Sequence, residues 1–303
     1  MDWRSEIEAA AGRIAGHVRV TPALQVEIAG IGPIELKLEH MQHTGSFKAR
    51  GAFNRLVKGP VPAAGVVAAS GGNHGAAVGF AARKLGHPAR IFVPEIAGPT
   101  KIALIRAQGA ELEIMSGPVS EVFAAAEDYA QRTGALQVHP FDAPDTLAGQ
   151  GTLMREWEAQ GLEADTVLIA VGGGGLIGGA LGWLQGRRKV VAVEPELAPT
   201  LHAALKAGKP VPVAPSGVAA SSLGAPMIGQ FCFGLATGVT SVLVEEAAIL
   251  AAQRLLWDSL RQWVEPGAAT ALAALLSGAY VPAQGEKVAV LLCGANPAPA
   301  PYG

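Results

Sequence analysis

The stretch TVLIAVGGGGLIGGA, residues 166–180, carries the reading of the fold. Thr166–Val171 is apolar along its length, as a strand covered on both faces should be, and the glycines after it open a helix. VVAAS at 66–70 and VVAVE at 190–194 share that near-continuous apolar character. Buried strands that pass through glycine turns into helices imply βαβ units and mainly parallel sheets.

Outward from this stretch the same alternation recurs. Strands are expected at Ile34–Leu38, Gly65–Ala69, Ala89–Val93, Glu111–Met115, Leu136–His139, Lys189–Glu194, Ser241–Val244 and Lys287–Leu292. Helices are expected at Ser46–Val57, Asn73–Leu85, Thr100–Gln108, Val119–Arg132, Thr146–Gln160, Glu245–Gln262 and Gly267–Ser277, with helical spacing of Ile7, Ala11 and Ile14 near the N-terminus. So many strands predict two sheets, hence two lobes with a cleft between them. The proline-rich segment Ala295–Gly303 reads as an exposed end.

The 303 residues suffice for a large core, half of them are hydrophobic, and 39 are glycine. A net charge of −2 with no basic run argues against a nucleic-acid surface. No apolar run suits a bilayer span or a signal peptide, so a cytoplasmic location is expected. Cys232 and Cys293 stand too far apart for a metal knuckle and give no sign of a disulfide framework.

Three glycine-rich turns stand out. His43–Phe53, HTGSFKARGAF, places Lys48 near a helix start. The positive end of the helix and partial burial would lower the pKa of this amine and make it a nucleophile or base. The same lysine reads equally as a solvent-facing residue of an amphipathic helix. SGGNHG at 70–75 could present backbone N–H groups to an anion, or simply cap a helix with Asn73. Gly172 to Gly175 can cradle a phosphate without a side chain in the way. Gly173, Gly175 and Gly178 also satisfy a dinucleotide spacing, with Glu194 where a ribose-binding acid would sit. That window alone fits a nicotinamide dehydrogenase as well as any other phosphate site.

Taken together, the segments resemble the fold-type II pyridoxal-phosphate enzymes (tryptophan synthase β-like), in particular their serine/threonine dehydratase and serine racemase branch. LKLEHMQHTGSFKARGAF (36–53), SGGNHG (70–75), HPFDAPDTLAGQGT (139–152), GGGGLIGG (172–179), VEP (193–195) and VEPGAATALAALLSG (264–278) follow the family's order. The resemblance implies an α/β enzyme of two lobes, each with a mainly parallel twisted sheet covered by helices, and pyridoxal 5'-phosphate in the cleft. Residues 1–53 and 144–303 would form the large domain and 54–143 a small mobile one. Lys48 would carry the cofactor on its amine and move the Cα proton. Phe47 would pack on the ring, and Asn73 would meet its phenolic oxygen. Gly172, Gly173, Gly174, Gly175 and the Leu176 backbone would hold the phosphate. Ser70, Gly71, Gly72, Asn73 and His74 would bind the substrate carboxylate, with His74 acting mainly through its backbone. Cys293, in LLCGAN, would face the pyridine nitrogen as a neutral group; locally it reads equally as a small buried hydrophobe. Cys232 is expected in the core.

Three departures from the family pattern narrow the expectation. Gly71 replaces the serine that serves racemases as second proton carrier, which favours α,β-elimination of water from L-threonine or L-serine over racemisation. Thr200 stands where the cation-binding branch has an aspartate, leaving only Glu194 and the Ala198 carbonyl; no metal is expected. Ser221 and Ser222 replace the common ADG turn, which leaves β-replacement, racemase activity or a catalytically silent cofactor-binding role as alternatives. With only a short segment after Cys293, no appended regulatory domain is expected. The expected partners are a small amino acid and a second copy of the chain, with neither nucleic acid nor membrane.

Overall fold

The computed structural model describes residues 1–297 and divides the strands between two sheets. The larger contains β1 (Ala23–Ile28), β2 (Gly32–Lys37), β7 (Thr166–Ala170), β8 (Lys189–Pro195), β9 (Thr240–Val244) and β10 (Val288–Leu291), in the order β1-β2-β10-β7-β8-β9. All its neighbours are parallel except the β1–β2 hairpin, whose register runs from Ala23 opposite Lys37 to Ile28 opposite Gly32. The smaller sheet, order β5-β4-β3-β6, is parallel throughout and contains β3 (Val66–Ala69), β4 (Ala89–Pro94), β5 (Glu111–Met115) and β6 (Leu136–Gln137). β3 and β7 are buried at every position, as their unbroken apolar sequences require.

Twelve helices lie among the described residues. In chain order they are α1 (Trp3–Ile14), α2 (Lys48–Val57), α3 (Asn73–Leu85), α4 (Gly98–Arg106), α5 (Val119–Thr133) and α6 (Pro144–Ala159), then α7 (Gly175–Leu184), α8 (Thr200–Ala207), α9 (Ala220–Leu223), α10 (Gln230–Leu235), α11 (Glu246–Leu260) and α12 (Pro266–Leu276). β1 and α8 were not expected from sequence. β1 is an edge strand whose residues are mostly accessible, so no continuous apolar run marks it. α8 has eight residues, too few for a clear helical period.

The helix that carries Lys48 is placed by small residues and buried charge. α6 packs against α2 and α7 where glycines meet: a Cβ on Gly149 would lie 2.6 Å from the Gly51 Cα, and one on Gly179 would lie 2.5 Å from the Gly151 nitrogen. On α6, Leu147, Leu153, Met154 and Trp157 are fully buried; each such side chain contributes about 1.5–3 kcal/mol. Behind α2, Arg50 pairs with Glu39 at 2.6 Å and Glu156 at 2.9 Å, and Lys37 pairs with Glu156 at 2.7 Å. That network ties β2, α2 and α6 together. Ala49, Ala52, Phe53 and Leu56 of α2 join the core under the smaller sheet, so this helix touches both lobes.

Two expectations are corrected near the site. Ser46 and Phe47 do not begin the helix: Ser46 is extended and bridges to Gly294, and the Phe47 N–H donates to the Cys293 carbonyl at 3.2 Å. The segment after β10 is not an exposed end either. The Ala295 N–H donates to Gly45 O at 2.8 Å, Asn296 is half-buried and Pro297 is buried; the remainder of Ala295–Gly303, from 298 on, lies outside the described residues.

Candidate active site

Lys48 begins α2 directly after the Ser46–Gly294 bridge, which sets it beside Cys293 at the end of β10. Its side chain enters the cleft, and Nζ donates to the Pro140 carbonyl at 2.7 Å. His139 shapes that turn, its Nδ1 accepting the Asp142 N–H at 2.8 Å. Burial lowers the Lys48 pKa to about 8, against weaker opposing pulls from Cys293 and Glu265. A substantial fraction of the amine is then uncharged near neutral pH.

The glycine loop after β7 forms one wall. Gly174 has φ of 89° and precedes α7, whose first N–H groups have no partners inside the helix. A Cβ on Gly174 would sit 2.6 Å from the Cys232 sulfur, on Gly172 3.0 Å from the Leu223 Cα, and on Gly175 3.1 Å from the Phe141 Cα. On Gly173 it would overlap the Phe141 ring. Any side chain here fills the space, so these positions offer only backbone donors to an anion. Leu176 is buried just inside the helix. Cys232 lies behind this loop as a core residue.

SGGNHG forms the opposite wall at the start of α3. The Ser70 hydroxyl accepts the Gly72 N–H at 3.2 Å. A Cβ on Gly71 would lie 2.8 Å from that of Ala97 and 3.2 Å from Pro94 Cγ. The His74 imidazole contacts the Val138 carbonyl at 2.8 Å, and burial then the Lys48 charge lower its pKa to about 3. A neutral ring committed to a backbone carbonyl leaves the His74 N–H as its free donor. Asn73 Nδ2 donates to Glu265 Oε1 at 2.6 Å, and its Oδ1 accepts from Asn296 at 2.8 Å.

Phe47, Lys48, Asn73, Gly172, Gly173, Gly174, Gly175, Leu176 and Cys293 line one cavity. The Phe47 ring centroid lies 5.1 Å from Lys48 Nζ. Cys293 is buried, and that burial raises its pKa far above the usual thiol range, so it is a neutral thiol. Four further residues escape a reading by motif. Glu265 precedes α12 but turns its carboxylate into the cavity instead of capping the helix; burial raises its pKa to about 7 and Oε2 has no partner. Phe141 closes the glycine loop, and Ser222 lines the cavity. Lys101, on α4, is buried and donates to the Ser221 carbonyl at 2.6 Å across the lobes. The VEP and HPFD segments marked this neighbourhood; which side chains point inward depends on the fold.

Glu194 serves neither a ribose nor a cation. Its two oxygens accept the Leu201 and His202 N–H groups at 2.7 and 2.8 Å, at the start of α8. The Thr200 hydroxyl lies 3.1 Å from Glu194 Oε1 and 2.6 Å from the Gly172 carbonyl, and the Ala198 carbonyl accepts the Thr200 N–H at 3.1 Å. One carboxylate already engaged by three donors does not suit a hard cation. Among the described residues no three His, Cys, Asp or Glu side chains gather into a metal cluster.

This donor set suits pyridoxal phosphate: a buried amine, a side-chain-free anion loop at a helix start, a neutral thiol and an unpartnered buried carboxylate oxygen. Comparison with known proteins agrees. Residues 14–294 match the family described as pyridoxal-phosphate dependent enzyme. The phenylserine dehydratase of Ralstonia pickettii is 36% identical, over 96% of this chain and 92% of its own length. The L-threonine ammonia-lyase of Geobacter sulfurreducens is 36% identical, over 94% and 73% respectively. Among solved structures, maize serine racemase superposes with a TM-score of 0.91 at 29% identity, covering 97% of this chain and 93% of that one. A bacterial threonine deaminase, from T.th., does so with 0.90 at 35% identity, covering 98% and 99%. The chain belongs to the pyridoxal-phosphate dependent enzymes of fold type II, in their serine/threonine dehydratase-like branch.

Proposed function

We propose that the chain is an ammonia-lyase acting on a β-hydroxy-L-amino acid, with serine, threonine and their β-aryl analogue phenylserine as the leading substrates. Bound pyridoxal phosphate supplies an electron sink that acidifies the Cα–H bond. Lys48, a largely desolvated amine, takes the Cα proton, and its lowered pKa suits a base working near neutrality. The backbone donors of Gly172 to Leu176 hold the phosphate, and Phe47 flanks the ring. The neutral Cys293 thiol stands toward the ring nitrogen, and Asn73 toward the phenolic oxygen. The Ser70–His74 loop binds the substrate carboxylate through its backbone. Loss of the β-hydroxyl as water leaves an enamine, whose hydrolysis returns that water and gives a 2-oxo acid and ammonia.

The observation that carries elimination over racemisation is position 71. A serine there, the second proton carrier of racemases, would drive its Cβ into Ala97. A base on one side with no acid opposite it favours departure of the β-group over return of the proton. Thr200 between Gly172 and Glu194 supports operation without a metal. Residues 54–143 are assigned to a smaller lobe that closes on substrate, with residues 1–53 and 144–303 as the large one. A cytoplasmic homodimer is the proposed setting; light scattering of the purified protein checks the dimer. Among the described residues no helix is long and apolar enough to cross a membrane.

The test is an absorbance titration of cofactor-loaded protein with L-serine, L-threonine, L-phenylserine, 3-hydroxyaspartate and their D-forms, coupled to 2-oxo acid and ammonia detection. Equal release of both products from an L-substrate is expected. Absence of both from every compound, despite a bound cofactor band, would sink the assignment and leave a silent binding protein.

A further inference from the structure

The orientation of the Asn73 amide follows from a chain of hydrogen bonds that begins at a backbone carbonyl. The turn before Lys48 holds two consecutive left-handed residues, Thr44 at φ 59° and Gly45 at φ 75°. For a β-branched threonine this conformation is rare. It aims the Thr44 carbonyl at Asn296, whose Nδ2 donates to it at 2.7 Å. A carbonyl can only accept, so the Asn296 amide has one orientation. The second Nδ2 proton of Asn296 then points to Asn73, which must answer with its oxygen, at 2.8 Å. That turns the Asn73 nitrogen to Glu265 Oε1, 2.6 Å away. Crowding holds the chain in place. A Cβ on Gly45 would lie 2.8 Å from Asn296 Oδ1, and one on Gly294 would overlap Glu265 Oε1.

One N–H of Asn73 remains unshared, and Asn73 lines the cofactor cavity. Without the chain, an asparagine amide is free to turn its oxygen to the cavity and repel a phenolate. We propose that Glu265 and Asn296 are positioning residues that lock the Asn73 amide so that its unshared N–H meets the phenolic oxygen of the bound cofactor. This rests on the reading that Asn73 faces that oxygen. The groups around Glu265 are compatible with an accepting carboxylate: Lys48 from α2 and Lys101 from α4 favour its charge, Asn73 from α3 donates to it, and Cys293 beyond β10 is neutral.

A donor to a phenolate lowers its proton affinity, so losing the donor raises the pH midpoint of the cofactor's visible band. The experiment is a pH titration of that band in loaded wild type and in Asn73→Ala, Asn296→Leu, Glu265→Leu and Glu265→Gln, with cofactor dissociation constants alongside. Asn73→Ala is expected to raise the midpoint by about one pH unit, tenfold in proton affinity, and to weaken cofactor binding about tenfold. Asn296→Leu and Glu265→Leu should move both in the same direction, whereas Glu265→Gln, which keeps an accepting oxygen, should stay near wild type. If Asn73→Ala moves the midpoint and neither leucine variant does, the locking role is overturned while the Asn73 reading stands. If Asn73→Ala itself leaves the midpoint in place, that reading falls and the proposal with it. Equal shifts in Glu265→Gln and Glu265→Leu would show that charge acts instead of orientation, which also overturns it. Should Glu265→Leu fail to fold, Asn296→Leu decides, because Asn296 is only half-buried.

Discussion

Lys48 owes its chemistry to where its amine ends up. Burial opposes its charge, and the Pro140 carbonyl holds Nζ in the cleft. Only the uncharged amine can attach the cofactor, so the attachment rate of cofactor-free protein should rise about tenfold from pH 7 to pH 9, following an amine of pKa near 8. Stopped-flow absorbance measures this, and Lys48→Ala should lose both the band and turnover. Gly71 is the complementary case, since the absence of a side chain is what matters there. Gly71→Ser should confer no racemisation, read by chiral chromatography. It should destabilise the fold by about 1–3 kcal/mol, because its Cβ would meet Ala97 in a packed contact.

Between elements, the glycine loop depends on α8 as much as on its own strand. The Thr200 hydroxyl spans the Gly172 carbonyl and Glu194, and Glu194 in turn holds the first N–H groups of α8. Thr200→Val keeps the shape and deletes the hydroxyl, freeing the Gly172 carbonyl. Cofactor affinity should fall about tenfold, the worth of one such hydrogen bond. Wild-type turnover should be indifferent to a chelator and to added magnesium or calcium. Cation-stimulated activity would instead mean that Glu194 turns away from α8 to bind metal. Glu194, 19 residues beyond Gly175, was also the position that made a dinucleotide site plausible by spacing. Sequence distance cannot tell a ribose acceptor from a carboxylate that anchors the next helix.

Across the whole molecule, the position of α2 between the two lobes is maintained by buried charge. Arg50→Met should cost about 3–5 kcal/mol, since Glu39 would be left buried without its cation; thermal denaturation reads this directly. For Glu156, burial raises the pKa but Arg50 and Lys37 outweigh it, and the net shift is downward. A depressed carboxylate stabilises the fold above its unfolded pKa, and that stability is lost as pH falls below about 4.5 through the lower folded value. Acid unfolding of wild type should therefore be steeper than that of Glu156→Gln over the same range.

The order of strands and helices, the parallel sheets and the three glycine turns were legible in the residues themselves. Apolar periodicity and the steric freedom of glycine act over a few positions, so they survive in a one-dimensional reading. Lys48, the glycine loop and the SGGNHG turn were found on that basis. Glu265, Asn296, Lys101 and Phe141 were not: each comes to the cleft from a distant part of the chain, and its neighbours at close range belong to other elements. A carboxylate before a helix reads as a cap and a proline-rich end reads as loose. Tertiary packing decides instead that Glu265 turns inward and that Asn296 is pinned to Thr44, because the groups that satisfy or crowd a buried polar atom are set by contacts between segments far apart in sequence.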